Sequence, residues 1–246
     1  NIIIDRDRYS QDRKYGIAVA GGFLIFGVSG DQTGDRTICS NSNVLDSQWH
    51  HIAVQRRRSD GDLWLYIDGI LEAEADGPNG DISYPDDGVP CSNCCGGSDC
   101  DFSDPYIVIA AEKHDAGASF PSYNGMMDEL RFSNTLRYNA NFIPASQPFV
   151  SDSHTVGLYH FDEGAGAVLQ DQSQAMGGPF EGQINIGGSP PSPSWVMDSP
   201  FMSQAPADIQ LYTDGIELQA NQSDTSFEIK GALSSYAIDI LDSLGN

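Results

Sequence analysis

Trp49-His50-His51-Ile52-Ala53-Val54, followed by Leu63-Trp64-Leu65-Tyr66-Ile67-Asp68-Gly69, decides the fold. Both stretches alternate apolar and polar with a period of two, which places successive side chains on opposite faces of a strand. Asp68-Gly69 supplies the positive-φ pair that a tight hairpin turn needs. Trp49 is expected to anchor a core, with the alternating residues filling it. Working outward, Tyr15-Gly-Ile17-Ala-Val19 and Phe23-Leu-Ile25-Phe26-Gly-Val28 read as strands joined at Gly21-Gly22. Tyr106-Ile-Val108-Ile-Ala110, Met127-Asp-Glu-Leu130-Arg-Phe132 and Val156-Gly-Leu158-Tyr-His160-Phe161 continue the series, with Asp60-Gly61 and Gly187-Gly188 as further turns. Only residues 133–141 suit a helical turn. Many short strands with dense glycine turns predict an all-β sandwich.

The chain has 246 residues with 12 Lys+Arg against 35 Asp+Glu, a formal charge of −23. With 39% hydrophobic and 10% aromatic residues it can pack a core, unlike a disordered polyanion. No window approaches 18 consecutive apolar residues, so no helical membrane span is expected. So acidic a surface repels phosphate backbones and argues against nucleic acid and anionic membranes as partners. Divalent cations, neutral ligands and basic partners remain. Ile2-Ile3-Ile4 at the start and Asp242-Ser-Leu-Gly-Asn246 at the end read as pieces of a longer polypeptide, with N-terminal strands supplied elsewhere.

Residues 76–105 interrupt the strand rhythm as a long insertion loop, and such loops are usually functional or stapled. Cys91, Cys94, Cys95 and Cys100 cluster there, with Cys39 upstream. Disulfides in an oxidising compartment are the favoured reading of these five, with a thiolate zinc site or free thiols as the alternatives. Their odd number leaves one free or paired outside the chain. Pro190-Pro-Ser-Pro193 and Pro200-Phe-Met-Ser-Gln-Ala-Pro206 mark a linker. Residues 207–246 then carry a small second set of strands, which places the boundary near residue 203.

The hairpin quoted first closely resembles the central hairpin of laminin-G-like domains, in the concanavalin A-like jelly-roll superfamily. Tyr123-Asn-Gly125-Met-Met-Asp128-Glu129-Leu-Arg131-Phe132 resembles that family's closing strand. The resemblance implies an antiparallel jelly-roll β-sandwich with a small C-terminal β appendage. The family's opening segment has its likeness in Leu158-Tyr-His-Phe161-Asp162-Glu163-Gly164-Ala-Gly166, which here follows the closing strand. This is either a permuted arrangement or the start of a second copy that stops at Pro200; because an isolated strand pair is marginal on its own, we expect residues 153–201 to complete a sandwich spanning 1–201. A strand-like terminus at residues 1–4 also fits strand donation between chains.

The pentraxin branch of that superfamily implies a calcium site. Its layout is similar to Asp5-Arg-Asp7 and Asp12 early, with Glu112-Lys-His-Asp115 before the closing strand. Asp12, Glu112, Asp115 and Asp128 are the candidate ligands for Ca2+, which takes six to eight oxygens gathered on loops. Asp128 has a hydrogen-bonded lock as its other reading. Asp171 and the Asp162-Glu163 pair read as turn caps rather than ligands. Asp99, Asp101 and Asp104 lack the central Gly and distal Glu of an EF-hand loop. His50 and His51 face opposite ways, and His114 lies in the acidic run.

Catalysis finds little support. Glu72-Ala-Glu74 alternates like glycosidase carboxylates but has no following acid partner. Tyr84, Phe102, Phe120 and Tyr123 are the candidate aromatic platforms for a sugar, against the plainer reading that each packs its own loop. Asn221-Gln-Ser223 is a glycosylation triplet in a suitable host. The expected function is non-catalytic recognition of carbohydrate or an extracellular protein, assisted by calcium, in a secreted or surface protein. The alternatives are a structural or adhesive assembly module with self-association and, as a minor reading, a glycoside hydrolase.

Overall fold

A computed structural model of the chain describes residues 1–6, 12–83, 106–113, 117–184 and 193–201. In chain order the strands are β1 (Ile2–Arg6), β2 (Lys14–Ala20), β3 (Phe23–Ser29), β4 (Asp35–Asn43), β5 (Ile52–Arg56) and β6 (Leu63–Ile67). They continue with β7 (Ile70–Ala75), β8 (Val108–Ile109), β9 (Leu130–Ser133), β10 (Thr155–Tyr159), β11 (Val168–Leu169) and β12 (Gly182–Gln183). A five-stranded sheet runs in the order β4-β3-β2-β1-β8, and a three-stranded sheet in the order β5-β6-β7. Two short ladders, β9 with β10 and β11 with β12, complete the set, and every strand pair is antiparallel. The described residues are all-β, as the concanavalin A-like expectation requires.

The alternating residues decide the packing. Ile17 and Val19 of β2, with Leu24, Phe26 and Val28 of β3, share one buried cluster with Leu63, Leu65 and Ile67 of β6. Leu24, Leu63 and Leu65 are wholly removed from solvent, each side chain contributing about 1.5–3 kcal/mol by burial. This core lies between the two sheets. Gly21 (φ 61°) and Gly22 (φ 93°) turn β2 into β3, and Asp68 (φ 51°) with Gly69 (φ 77°) turns β6 into β7.

The outward face of the three-stranded sheet is covered by the chain beyond β9. Tyr66 is 1% exposed, its ring 5.9 Å from that of Tyr138 and 5.6 Å from that of Phe142. Tyr138 and Phe142 stack at 3.5 Å. Gln55 ties this segment down from β5. Its Nε2 donates to the Tyr138 carbonyl (2.8 Å), and its Oε1 accepts from the amides of Arg137 (2.6 Å) and Tyr138 (3.0 Å). Those bonds occupy the backbone groups that a helix would use, and residues 133–141 form no helical turn.

Three further expectations change. β1 pairs with β2 on one side and β8 on the other, and the Asn1 ammonium donates to the Val19 carbonyl at 2.9 Å. An interior strand with both edges used is not available for donation to another chain. Trp49 is half-buried at the rim, outside the core cluster, where its Nε1 donates to Asp198 Oδ1 at 3.4 Å. In β7 the register shifts between Ala73 opposite Leu65 and Leu71 opposite Tyr66, which leaves Glu72 as the bulged residue. Its Oε2 accepts from the amides of Asn41 and Ser42, both at 2.8 Å, and so joins β7 to β4 across the sandwich seam. The even alternation of Glu72 with Glu74 is thereby lost.

Candidate functional site

Where the ends of several strands meet, an open cleft of about 490 Å³ is lined by Arg6, Tyr15, Arg56, Arg58, Asp81 and Ser83, among others. Arg6 closes β1, Tyr15 lies near the start of β2, and Arg56 closes β5. Both sheets therefore contribute. Ser133 and Asn134, at the end of β9, complete the wall.

The guanidiniums are held by the backbone. Arg56 Nη2 donates to the carbonyls of Pro78 (2.7 Å) and Gly80 (2.8 Å), with Nε 3.1 Å from Pro78. Arg6 Nη1 donates to the Ile82 carbonyl at 3.0 Å, and its guanidinium lies 5.4 Å from the Tyr15 ring centroid. Arg58 Nη2 reaches Asp81 Oδ2 at 3.2 Å, with both side chains more than half exposed. Asp81 Oδ1 accepts from the Ser83 amide at 2.9 Å, and that bond is the first cause of its lowered pKa. Burial, then the neighbouring Arg58 charge, pushes the Arg56 pKa down. Among the described lining residues Asp81 is the one carboxylate. Its chemistry is that of hydrogen-bond donors and positive charge.

None of these arginines stood out as a site by sequence. The run Arg56-Arg57-Arg58 in a chain of charge −23 is the signal that would have found it. Arg57 itself points elsewhere, 5.0 Å from the Trp64 ring centroid and paired with Asp60 and Asp62.

The sequence candidates are scattered. Tyr123 packs half-buried against the core cluster, and its hydroxyl donates to the Met126 carbonyl at 3.3 Å. A Cβ on Gly125 would stand 2.5 Å from that hydroxyl oxygen, so ring and loop are fitted to each other. Tyr123 thus packs against its own loop and the core. Phe120 is 46% exposed on the turn closed by Gly117, whose carbonyl accepts from its amide at 3.1 Å. Tyr84 and Phe102 lie outside the described residues.

Asp12 Oδ2 accepts from the Gln32 amide at 3.1 Å. Asp5, 9% exposed on β1, accepts from the Lys113 amide at 2.9 Å. Among the described residues no three His, Cys, Asp or Glu side chains gather into a metal site. Asp7, His114 and Asp115 lie outside those residues. The lock expected of Asp128 falls instead on its neighbour Glu129 (φ 53°), whose side chain is 6% exposed. Glu129 Oε1 lies 2.7 Å from His160 Nδ1, and Oε2 accepts from the Phe149 amide at 2.8 Å.

Asp171 accepts from the amides of Leu158 (3.0 Å), Ser173 (2.9 Å) and Phe180 (3.0 Å) and from the Ser173 hydroxyl (2.9 Å). It is a turn clamp with its acceptor sites filled. Glu163 Oε1 caps the Gln170 amide at 2.8 Å. Cys39 is an exposed thiol on β4, free among the described residues. Cys91, Cys94, Cys95 and Cys100, like the Asp99, Asp101 and Asp104 series, the Asn221 triplet and the 207–246 appendage, lie outside the described residues.

No curated protein matches the chain. A crystal structure of residues 221–444 of an S-layer domain-containing protein from Clostridium thermocellum ATCC 27405 is 23% identical, with a TM-score of 0.23. The match covers 55% of this chain and 57% of that one, so the chain spans little more than half that structure's length. The Laminin_G_3 model, described as the concanavalin A-like lectin/glucanases superfamily, matches residues 1–140, which take in β1 through β9. With more than half its length matched and the all-β sandwich that the model implies, the chain belongs to the laminin G family of the concanavalin A-like superfamily.

Proposed function

We propose that this chain is a non-catalytic recognition module of a surface or extracellular protein, binding a carbohydrate or a protein ligand. One observation carries the reading. The cleft joining the ends of both sheets presents Arg, Tyr, Ser and Asn side chains around a single described carboxylate. Such a lining binds and orients without supplying a nucleophile and a base. Glu72, the best sequence candidate for a hydrolytic carboxylate, is committed to the β4 seam, which supports the same conclusion.

Calcium assistance is part of the proposal and is supported by Asp5, which lies beside Lys113 in the acidic run that the sequence names. The described residues do not complete its ligand set by themselves. Four-residue windows such as this one supply too few oxygens alone, so Asp12 and Asp128 are proposed as further ligands.

The test is a binding screen of the purified chain against a glycan panel, with size-exclusion chromatography beside it. A monomer that retains glycans or captures a defined extracellular protein is the expected result. Self-association without ligand would favour the assembly module instead. Release of reducing ends from any glycan would overturn the non-catalytic reading.

A further inference from the structure

The sequence contains two Asn-Gly pairs, Asn79-Gly80 and Asn124-Gly125. Both pairs are exposed, so water reaches both. They differ in how the glycine nitrogen is held. The Gly80 amide donates to the Arg58 carbonyl at 2.9 Å, and the Gly80 carbonyl accepts from Arg56 Nη2 at 2.8 Å. The Asn79 carbonyl accepts from the Thr33 hydroxyl at 3.4 Å. That pair is tied down on both sides. At the second pair neither the Asn124 side chain nor the Gly125 amide has a hydrogen-bond partner among the described residues.

The side-chain carbonyl carbon of an asparagine is open to attack by the backbone nitrogen of the next residue. The nitrogen must swing toward Cγ, and glycine permits this best because it lacks a Cβ and has the widest backbone freedom. A nitrogen whose hydrogen is given to a carbonyl must first break that bond, at a net cost of about 0.5–1.5 kcal/mol. Gly80 carries that cost, together with the bonds that hold the carbonyls on either side of it. The glycine after Asn124 is itself imposed by packing. A Cβ on Gly125 would stand 2.5 Å from the Tyr123 hydroxyl oxygen and 2.6 Å from its Cζ. Tyr123 packs against the core cluster, and its amide donates to the Ala110 carbonyl at 2.9 Å, so the ring has little room to yield. The fold therefore requires at position 125 the residue that makes its neighbour reactive.

We propose that Asn124 is a site of spontaneous modification, converted through a succinimide to aspartate and isoaspartate, while Asn79 is protected. The Gly125 nitrogen loses its proton to solvent and bonds to Asn124 Cγ. The bond from Cγ to the side-chain nitrogen breaks, and that nitrogen takes a proton from water and leaves as ammonia. Water then opens the cyclic imide. Cleavage between Cγ and the ring nitrogen gives aspartate; cleavage between the main-chain carbonyl carbon and that nitrogen gives isoaspartate. Water enters and ammonia leaves, so no oxidant or co-reactant is needed. Isoaspartate routes the main chain through the former side chain and lengthens it, between the anchored Tyr123 and the start of β9 at Leu130. Conversion runs one way, so this loop gains a carboxylate as the protein ages.

The experiment incubates the whole chain in warm, mildly alkaline buffer and follows tryptic peptides by mass spectrometry. Cleavage after Arg58, Lys113 and Arg131 puts the two sites on different peptides. Isoaspartate in each peptide is measured by methyl transfer from S-adenosylmethionine with an isoaspartyl methyltransferase. In the folded chain Asn124 should convert at least about tenfold faster than Asn79, equal to about 1.4 kcal/mol of barrier. In urea sufficient to unfold the chain, Asn79 should accelerate until the two rates come together. Asn124→Gln changes only an exposed side chain, so it should leave the melting temperature unchanged and remove isoaspartate from the 114–131 peptide. Equal rates in the folded chain, or faster conversion at Asn79, would overturn the inference. So would rates that stay apart in urea, which would make local sequence and not the fold the cause. An Asn124 that stays intact in the folded chain while the free 114–131 peptide converts would overturn it as well.

Discussion

His50 stands between two carboxylates, with Nδ1 2.8 Å from Asp68 Oδ2 and Nε2 3.0 Å from Asp46 Oδ1. His51, next in the chain, turns inward among the rings of Phe142 (5.4 Å), Tyr138 and Phe149, both at 6.2 Å, and its buried Nδ1 has no partner among the described residues. Period two made that opposition legible; the partners were not, because Asp46 and the residues beyond 138 are brought there by turns. Burial lowers the His50 pKa, but the bonds to Asp68 and Asp46 outweigh it and the net direction is up. Burial dominates for His51, whose pKa goes down. The stabilising contribution of His50 is therefore full below the ordinary value of about 6.5 and is lost as pH rises through its raised value. That of His51 is present above about 6.5 and is lost as pH falls toward its lowered value. An NMR titration should show His50 with the higher midpoint. Asp68→Asn tolerates the same positive φ and keeps an acceptor for the His51 amide, yet should lower the His50 midpoint. Two histidines titrating together near their ordinary value would refute this picture. Gln55 offers a second check at the same scale. Gln55→Leu leaves the Arg137 and Tyr138 backbone groups without their partner and should cost about 2–3 kcal/mol in urea unfolding.

Strands β2, β3 and β6 were legible because each puts alternate apolar residues into one core, a pattern the sequence displays directly. β4 was not. Of its nine residues only Ile38 and Ser40 are buried, so an exposed edge strand reads as a polar loop. Its place comes from pairing with β3 and from the Glu72 bond across the seam, neither of which has a local signature. β9 begins later than its pattern suggested, since Glu129 at φ 53° breaks the extended backbone just before Leu130. The turn into β7 carries a prediction. A Cβ on Gly69 would stand 2.0 Å from the Phe142 carbonyl oxygen, and φ is 77°. The Phe142 amide also donates to the Gly69 carbonyl at 2.8 Å. Gly69→Ala thus strains the turn and pushes away the segment that covers Tyr66. We expect a loss of more than about 1 kcal/mol, the cost of the left-handed conformation alone. Limited proteolysis should show faster cleavage between residues 138 and 149. Wild-type stability and wild-type cleavage in this variant would mean that the segment is held elsewhere.

For the molecule as a whole, the sandwich was readable while its cleft was not. The cleft is assembled from residues 6, 15, 56, 58, 80–83 and 133–134, which no local motif unites. β10 pairs with β9, Tyr159 meets Phe132 edge-on at 6.5 Å, and Arg137 holds Asp152 at 2.5 and 2.8 Å. Cutting the chain after residue 152 would expose the faces now covered by Leu158, Tyr159 and Leu169. At about 1.5–3 kcal/mol per buried side chain, the loss should reach several kcal/mol relative to a chain ending at residue 201. Equal melting temperatures would show that residues 153–201 are an independent unit. Calcium is tested at this same scale, because a charge of −23 responds to any divalent cation by screening. A specific site adds RT ln(1 + [L]/Kd), about 2.7 kcal/mol at a hundredfold excess over Kd. For a domain of about 200 residues that corresponds to a rise in Tm of roughly 5–10 °C. The proposal expects this rise with CaCl2 beyond that with MgCl2 at equal ionic strength, and its loss in Asp115→Ala. Equal shifts with the two salts would remove calcium from the reading and leave the arginine cleft to recognise its ligand without a metal.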